Sequence, residues 1–211
     1  MNPKKSHIQT LIEQGEHQRL DFKFEISDSR KIARSISAFS NTDGGTLLIG
    51  VKDNGVVSGI RSEEEIYMAE ASAKMYCKPV VDFRATQWNE RGKTVLELII
   101  PKMRDAICYA ENPDGKWLAY VRVNDNNYLA AAVQMKLWKR KLKSMPTHIV
   151  YTDREKILLD FLTQNPDISI GKFCQLAGIS RNSAETILVN LIMLDIVELF
   201  YKEEHVLYRI K

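Results

Sequence analysis

Alternation and helical spacing of hydrophobic residues divide the first two thirds of the chain into short elements. Residues 19–25 alternate apolar and polar side chains, which predicts a half-buried strand. Residues 30–39 carry Ile32, Ile36 and Phe39 on one helical face, which predicts an amphipathic helix. The other elements expected here are helices over residues 6–14, 62–77 and 130–142, and strands over 81–86, 94–100, 106–110 and 117–123. Mixed strands and helices of this kind predict an α+β domain with a mixed sheet.

Two further apolar runs, residues 46–51 and 56–60, flank Asn54-Gly55. Because Asn and Gly tolerate the positive φ angles that a type I′ turn requires, this pattern predicts a β-hairpin. The first of the two runs is apolar on both faces, so that strand is expected to be covered on both sides.

The C-terminal part of the chain has a different pattern. Amphipathic helices are expected over residues 153–164, 171–177 and 181–194, and alternating runs over 197–201 and 206–210 predict a hairpin. Three helices followed by a two-stranded wing, with a glycine in the turn between the second and third helices, resemble the winged helix-turn-helix family. We therefore expect an α+β domain at residues 1–143, a linker at 144–151 and a winged-helix domain at 152–211.

Length and composition are compatible with two domains, and they argue against a membrane protein, a secreted protein and a zinc-binding or disulfide-rich protein. A chain of 211 residues with 45% hydrophobic content can bury a core. No apolar run approaches the ~20 residues that cross a bilayer, and the N-terminus lacks the apolar segment of a signal peptide. A cytoplasmic protein with no membrane association is expected. Three widely spaced cysteines suggest neither a zinc cluster nor a disulfide framework.

The net charge of +3 is too small to indicate nucleic acid by itself, but the charge is unevenly distributed. Residues 1–151 carry 23 basic and 18 acidic side chains, whereas residues 152–211 carry 7 and 9. Residues 1–151 thus have an excess of basic side chains. Part of it comes from five basic residues in or just after the helix at 130–142: Lys136, Lys139, Arg140, Lys141 and Lys143. Such a run can contact phosphate, and the alternative is a solvated helix face or linker.

In a winged helix, the third helix would present its exposed N-terminal side chains to the major groove. The side chains expected to be exposed there are Arg181, Asn182, Ser183, Glu185 and Thr186, and the candidates for nucleic-acid contacts are Arg181, Asn182, Ser183 and Thr186. Arg can recognise guanine and Asn can recognise adenine. The negative balance of residues 152–211 and the carboxylates at the wing tip oppose phosphate binding, so a winged helix used for dimerisation or protein contacts remains an alternative.

Three motifs near the N-terminus resemble a known family. They are Gly-Glu-x-x-x-x-acid-Phe-Lys at residues 15–23, Ser-Ala-Phe-x-Asn-Thr-Asp-Gly-Gly at 37–45, and Ile-Gly-Val-x-Asp-x-Gly-x-x-x-Gly-Ile at 49–60. Together they resemble the Schlafen AlbA-like domain over about residues 5–140. That domain has been described as a DNA-binding domain and as a divergent AAA-type ATP-binding module, and in bacteria a winged helix commonly follows it. Arg122 matches the arginine-bearing strand near the end of the domain.

Some Schlafen proteins with this domain cleave RNA, and the resemblance implies the same chemistry for particular residues. The metal-binding carboxylates would be Glu16, Asp21 and Asp53, with Lys23 beside them. Carboxylate oxygens bind Mg²⁺ or Mn²⁺, which can activate water and neutralise charge on phosphate. Residue 21 is Asp where the family pattern usually has Glu. The simpler alternative is that Asp21 and Lys23 form an exposed ion pair and that Asp53 is a turn residue.

The sequence thus favours a nucleic-acid-binding protein, a bacterial transcriptional regulator that binds DNA or RNA as a homodimer. The enzyme alternative is a Mg²⁺- or Mn²⁺-dependent endoribonuclease. A third alternative is an ATP-binding or dimerising protein-interaction module. ATP is the weaker of these ligands, because Asp43-Gly44-Gly45 lacks the lysine and spacing of a P-loop.

Overall fold

The computed structural model describes residues 5–143, 151–203 and 205–211. Contacts divide the chain into two units, Met1–Leu129 and Ala130–Lys211. This division falls earlier than the expected domain boundary at residue 143, and nearly all of the expected linker lies outside the described residues. In the part of the chain that the structure describes, no helix is both long enough and apolar enough to cross a membrane.

The N-terminal unit is an α+β structure with two four-stranded sheets, and this confirms the expected fold class. One sheet has the strand order β1-β2-β5-β4 and the other has the order β3-β6-β7-β8. The β1–β2 pair is parallel, and the other pairs are antiparallel. The helices are α1 His7–Ile12, α2 Ser29–Asn41 and α3 Glu64–Lys74; the strands are β1 Leu20–Lys23, β2 Gly45–Ile49, β3 Cys77–Lys78, β4 Arg84–Glu90, β5 Lys93–Ile100, β6 Tyr109–Glu111, β7 Trp117–Val123 and β8 Asn126–Leu129.

Helix α2 lies at the centre of the main core of this unit. Its expected apolar stripe, Ile32, Ile36 and Phe39, is almost completely buried. The helix begins at Asp28, whose side chain accepts a hydrogen bond from the backbone N–H of Arg30 at 2.9 Å. Beyond its C-terminus the chain passes close to the end of β5, and a Cβ atom at residue 44 would lie 2.8 Å from a backbone carbonyl oxygen. A glycine is therefore required there.

The predicted hairpin around Asn54-Gly55 is present only as a short antiparallel return and not as a pair of full strands. Both edges of β2 are already paired, with β1 on one side and β5 on the other. Across the turn, Val51 and Val57 form an isolated antiparallel bridge, and the backbone N–H groups of Lys52 and Ser58 donate to the carbonyl oxygens of Val56 and Gly50. At residue 50 the chain leaves the sheet with a φ of +91°, and Gly59 packs against it so closely that a Cβ on Gly50 would lie within 2.7 Å. The Asn-Gly signal identified the turn but not the pairing of the strands.

The C-terminal unit contains all the helices and strands expected in residues 152–211, together with the helix that precedes them. Strand β9 pairs with the β10–β11 hairpin to give a small antiparallel sheet. A left-handed Gly178 ends α6, and the hydroxyl of Ser180 caps α7. The elements are α4 Ala132–Leu142, α5 Asp153–Gln164, β9 Ile168–Ser169, α6 Ile170–Ala177, α7 Arg181–Met193, β10 Val197–Lys202 and β11 His205–Ile210.

Helix α4 belongs to this unit because its apolar side is buried there. Val133 is 1% exposed and lies in the same hydrophobic core as Leu158 and Leu188. Leu137, one turn later, is also buried, and α4 packs along α7. The predicted position and length of α4 are confirmed, and its packing partner is the C-terminal unit.

Candidate functional site

In the N-terminal unit, the carboxyl groups of Glu16 and Asp21 meet, as the family motif implies. Glu16 Oε1 accepts a hydrogen bond from the backbone N–H of Phe22 at 2.9 Å. Burial and a hydrogen bond to Asp21 raise the pKa of Glu16 from 4.5 to about 7. Glu16 therefore retains a proton under mildly acidic conditions and can donate it in the hydrogen bond to Asp21.

Asp21 is 2% exposed and lies between two cations. Its Oδ1 is 3.4 Å from an Nη atom of Arg122, and its Oδ2 is 2.9 Å from Nζ of Lys23. The side chain of Lys23 remains 36% exposed. The expected ion pair between Asp21 and Lys23 is present, but its carboxylate lies in the interior and not on the surface.

Arg122 is a buried structural residue, which corrects its assignment as a nucleic-acid contact. It is 2% exposed, and its guanidinium donates hydrogen bonds to the carbonyl oxygens of His17 and Leu20, both at 3.2 Å, and to Oδ1 of Asn127 at 3.1 Å. The guanidinium also lies over the ring of Phe39. Because these groups surround the side chain, no phosphate can reach it in this fold.

The third predicted metal ligand, Asp53, lies in an exposed turn and contributes to no carboxylate cluster. Among the described residues, no group of three or more His, Cys, Asp or Glu side chains is placed to hold a metal ion. The structure thus brings together Glu16 and Asp21, with Lys23 beside them, but not the complete set of three ligands.

Asp43 lies in the turn after α2. The sequence analysis did not predict its hydrogen-bond partner, Gln18. Gln18 donates from its side-chain amide to Asp43 Oδ2 and to the carbonyl oxygen of Arg122, both at 3.0 Å. Lys102 lies 3.7 Å from the other oxygen of Asp43. No sequence pattern links Gln18 to these partners, because they lie 25 and 104 residues away from it along the chain.

In the C-terminal unit, α4 and α7 bring two predicted groups of nucleic-acid-binding residues onto one surface. Lys136 donates to Asn182 Oδ1 at 2.6 Å, and Arg140 donates to Asn190. The spacing of Lys136, Lys139, Arg140 and Lys143 (i, i+3, i+4, i+7) places them on one face of α4 and of the residue that follows it. We call this the α4–α7 surface. It comprises Lys136, Lys139 and Arg140 of α4, Lys143 directly after α4, and Arg181, Asn182, Ser183 and Thr186 of α7. Lys141 is exposed but falls off this helical face.

One carboxylate lies within the α4–α7 surface, and two cations neutralise it. The Glu185 side chain is only 10% exposed, and it pairs with Lys136 at 2.9 Å and Arg181 at 3.3 Å. Arg181, Asn182 and Thr186 are exposed at the start of α7. The polar side chains that reach solvent here are therefore positive or neutral.

The position of α4 also changes the charge of each unit. Residues 1–129 carry 18 basic and 18 acidic side chains, whereas residues 130–211 carry 12 and 9. The basic excess expected in the N-terminal part therefore belongs to the C-terminal unit. This removes the argument from net charge against phosphate binding by that unit, because the negative balance applied only to residues 152–211; the carboxylates at the wing tip still oppose it.

The N-terminal unit is thus an α+β domain with two sheets, a Gly-Gly turn after α2 and two acidic side chains that meet. The family described as Schlafen, AlbA_2 matches residues 16–131, more than half of the chain. The chain therefore belongs to the Schlafen AlbA_2 family, and the predicted resemblance of the N-terminal domain is confirmed.

Two solved structures are similar to parts of the chain. The DIP2311 protein from Corynebacterium diphtheriae is 19% identical over 58% of this chain and 28% of its own, with a TM-score of 0.44. The N-terminal domain of an ATP-dependent DNA helicase RecG-related protein from Nitrosomonas europaea is 20% identical over 46% of this chain and 74% of its own, with a TM-score of 0.37. This chain thus spans 28% of the length of the C. diphtheriae protein. No curated protein matches it.

Proposed function

We propose that this protein is a nucleic-acid-binding transcriptional regulator and that its C-terminal unit is a winged helix-turn-helix. The order α5, β9, α6, α7 and the β10–β11 hairpin supports this interpretation, because it provides two helices joined by a glycine turn and then a wing. In this arrangement α7 is the recognition helix and enters the major groove with its N-terminal residues first. Arg181 and Asn182 are the side chains there that can contact base edges.

The observation that carries this proposal is the α4–α7 surface. Five cations and one neutralised carboxylate lie on or beside the predicted recognition helix. Lys139 and Lys143 are exposed on the same face of α4 as Lys136 and Arg140, both of which contact α7. Duplex phosphates on either side of a groove that holds α7 would therefore meet lysines supplied by α4.

The test compares two double variants of the full chain for binding to labelled duplexes of unrelated sequence. Lys139→Ala/Lys143→Ala removes two proposed phosphate contacts, so affinity should fall about 3- to 30-fold for every sequence. The slope of log affinity against log salt should become shallower by about 1–2. Arg154→Ala/Lys156→Ala is the matched control, because it removes the same charge from exposed positions on α5 of the same unit.

The control pair should bind like wild type. Equal loss of affinity in both variants would assign binding to net charge and not to the α4–α7 surface. Absence of wild-type binding to any duplex at low salt would overturn the proposal.

We further propose that the protein binds as a homodimer. A two-fold dimer would place two copies of α7 at half-sites about 34 Å apart, one turn of DNA. Sedimentation with and without a duplex measures this stoichiometry. A single copy of the chain per saturated palindromic site would overturn it.

The meeting of Glu16 and Asp21 favours a second candidate, a Mg²⁺- or Mn²⁺-dependent endoribonuclease. Both carboxyl groups and Lys23 lie together, as a site that binds metal and phosphate would need. Asp53 would have to approach them from its exposed turn. Wild type should then cleave structured RNA when metal is added, whereas Glu16→Gln and Asp53→Asn should not. Intact RNA with wild type and metal would exclude this activity.

A further inference from the structure

The C-terminal unit contains a small cavity between α4, α6, α7 and β11. Its volume is about 260 Å³, and its lining includes the apolar residues Val133, Ile170 and Val206 and the polar residues Arg181 and Tyr208. Sites for drug-sized ligands measure ~300–1,000 Å³, so this cavity suits a smaller molecule of roughly ten non-hydrogen atoms. We call it the Tyr208 cavity.

Tyr208 brings an unpaired hydroxyl group to this cavity. The residue is 2% exposed, and no other described residue forms a hydrogen bond with its hydroxyl group. The charges of Glu185 and Arg181 act on this hydroxyl, and both residues line the cavity, so the hydroxyl lies at the cavity end of the ring. Burial raises the pKa of Tyr208, so the group keeps its proton. A ligand that accepts a hydrogen bond there would satisfy an otherwise unpaired buried donor.

Helix α4 begins at the wall of the same cavity. Ala131, Ala132 and Val133 line it, and no side chain caps the helix at Ala131. The first turn of α4 contains no acidic residue. The backbone N–H groups of this turn carry the positive end of the helix dipole, which favours a negatively charged ligand.

Arg181 adds a permanent positive charge to the cavity. Its Nε atom is 3.3 Å from Glu185, whose other carboxylate oxygen is 2.9 Å from Nζ of Lys136. Two cations therefore neutralise Glu185. The Nη groups of Arg181 form no hydrogen bond with another described residue, and a carboxylate is the planar acceptor that fits them.

We propose that the Tyr208 cavity binds a small organic carboxylate with an apolar body. The carboxylate would accept hydrogen bonds from Tyr208 and Arg181 beside the start of α4. The apolar body would pack against Val133, Ile170 and Val206. Inorganic phosphate fits this lining less well, because it would leave the apolar side chains without a partner.

A ligand in this cavity should also lower the affinity of the protein for a duplex, and this consequence rests on the function proposed above. Arg181 is a proposed base contact of α7, and it cannot donate the same N–H groups to a carboxylate and to guanine. The carboxylate and the duplex should therefore weaken each other's binding by the same factor.

Calorimetric titration of the full chain with benzoate and with 3-methylbutanoate measures ligand binding without nucleic acid. Tyr208→Phe keeps the buried ring and removes only the hydroxyl, so affinity for both should fall about 10- to 100-fold, as for a lost hydrogen bond to a charged group. The melting temperature of the ligand-free variant should not fall, because the hydroxyl pairs with no described residue. Tyr151→Phe is the control and should bind like wild type, because Tyr151 is 61% exposed and does not line the cavity.

A second comparison tests the charge at the cavity. Arg181→Gln should weaken benzoate binding, whereas Lys172→Gln should not, because it removes the same charge from an exposed position on α6. Benzamide keeps the shape of benzoate without its charge, and phosphate keeps charge without an apolar body. Each should bind at least about tenfold more weakly than benzoate.

Three results would overturn the cavity ligand. They are the absence of wild-type binding to both carboxylates, wild-type affinity in Tyr208→Phe, and equal affinity for benzoate and phosphate. Labelled duplex tests the competition: benzoate should lower wild-type duplex affinity and should lower it less in Tyr208→Phe, whose affinity without ligand should equal that of wild type. Duplex binding that benzoate leaves unchanged would overturn the competition for Arg181.

The cavity ligand and the function proposed for the α4–α7 surface fail separately. Binding of benzoate that depends on Tyr208, in a protein that binds no duplex, overturns only the function of the surface. Duplex binding by wild type, without binding of either carboxylate, overturns only the cavity ligand.

Discussion

At the residue scale, Glu16 is a carboxyl group whose protonation depends on the fold. Burial, followed by the hydrogen bond to Asp21, raises its pKa from 4.5 to about 7. The folded protein therefore binds this proton more tightly than the unfolded chain does. The corresponding stabilisation is complete below the unfolded pKa and is lost as pH rises through the folded pKa.

The substitution Glu16→Gln tests this linkage because it keeps a neutral side chain of similar shape. Between pH 5 and pH 8, the free energy of unfolding of wild type should fall relative to that of the variant. The difference should be on the order of 1 kcal/mol, since Glu16 is only partly buried. Urea denaturation at both pH values measures it, and the exposed Glu13→Gln provides the control. Parallel pH profiles for wild type and Glu16→Gln would contradict the assignment.

A substitution of Arg122 tests whether this buried cation stabilises the fold or binds a ligand. Arg122→Met leaves Asp21 buried without one of its two cations and leaves the carbonyl oxygens of His17 and Leu20 unpaired. The free energy of unfolding should fall by about 3–5 kcal/mol. Arg104→Met, at an exposed position, should change it by less than about 0.5 kcal/mol.

Thermal and urea unfolding measure both variants. If Arg122→Met were as stable as Arg104→Met but bound nucleic acid more weakly, the assignment of Arg122 to the interior would be wrong.

At the element scale, α4 determines where the C-terminal unit begins. Val133 lies in the core of that unit and Leu137 is also buried, and burial of two such residues stabilises the fold by about 3–5 kcal/mol. A fragment of residues 130–211 should therefore unfold cooperatively at a higher temperature than a fragment of residues 152–211. Circular dichroism and calorimetry compare the two. Equal melting temperatures would place α4 outside the unit.

Helices and strands that a short stretch of hydrophobic and polar residues defines could be predicted from the sequence. The stripe of Ile32, Ile36 and Phe39 defined α2, and the spacing of residues 153–210 defined three helices and a hairpin. The parallel pairing of β1 with β2 was not predicted, because α2 separates them and alternation within one strand does not identify its neighbour. The overestimated length of the hairpin at Asn54-Gly55 has the same origin, since a turn residue specifies a turn and not how far the flanking strands pair.

For the candidate sites too, the sequence identified residues that are close along the chain but not those brought together by tertiary packing. The family motif located Glu16 and Asp21 correctly as neighbours, because it spans only six residues of chain. The family resemblance also singled out Arg122. A motif gives the residue type but not its burial, so Arg122 was predicted to contact nucleic acid although it is 2% exposed. The charge of α4 was evident from the sequence, whereas its place beside α7 depends on tertiary packing. Its five cations were therefore counted with the wrong unit.

At the scale of the whole molecule, the two units should differ in their affinity for duplex nucleic acid. The C-terminal unit carries a net excess of three basic side chains, and the N-terminal unit carries none. Duplex binding that depends on the α4–α7 surface should therefore reside in residues 130–211 and weaken steeply with salt.

Titration of fragments 130–211 and 1–129 with a duplex at 50 and 200 mM salt tests this assignment. Fragment 130–211 should lose at least about tenfold in duplex affinity between these concentrations, because several phosphate contacts release counterions together. Fragment 1–129 should bind the duplex more weakly than fragment 130–211 at both concentrations. If the two fragments bound the duplex with the same affinity and the same salt dependence, binding would not depend on the α4–α7 surface, and the assignment of duplex binding to the C-terminal unit would be wrong.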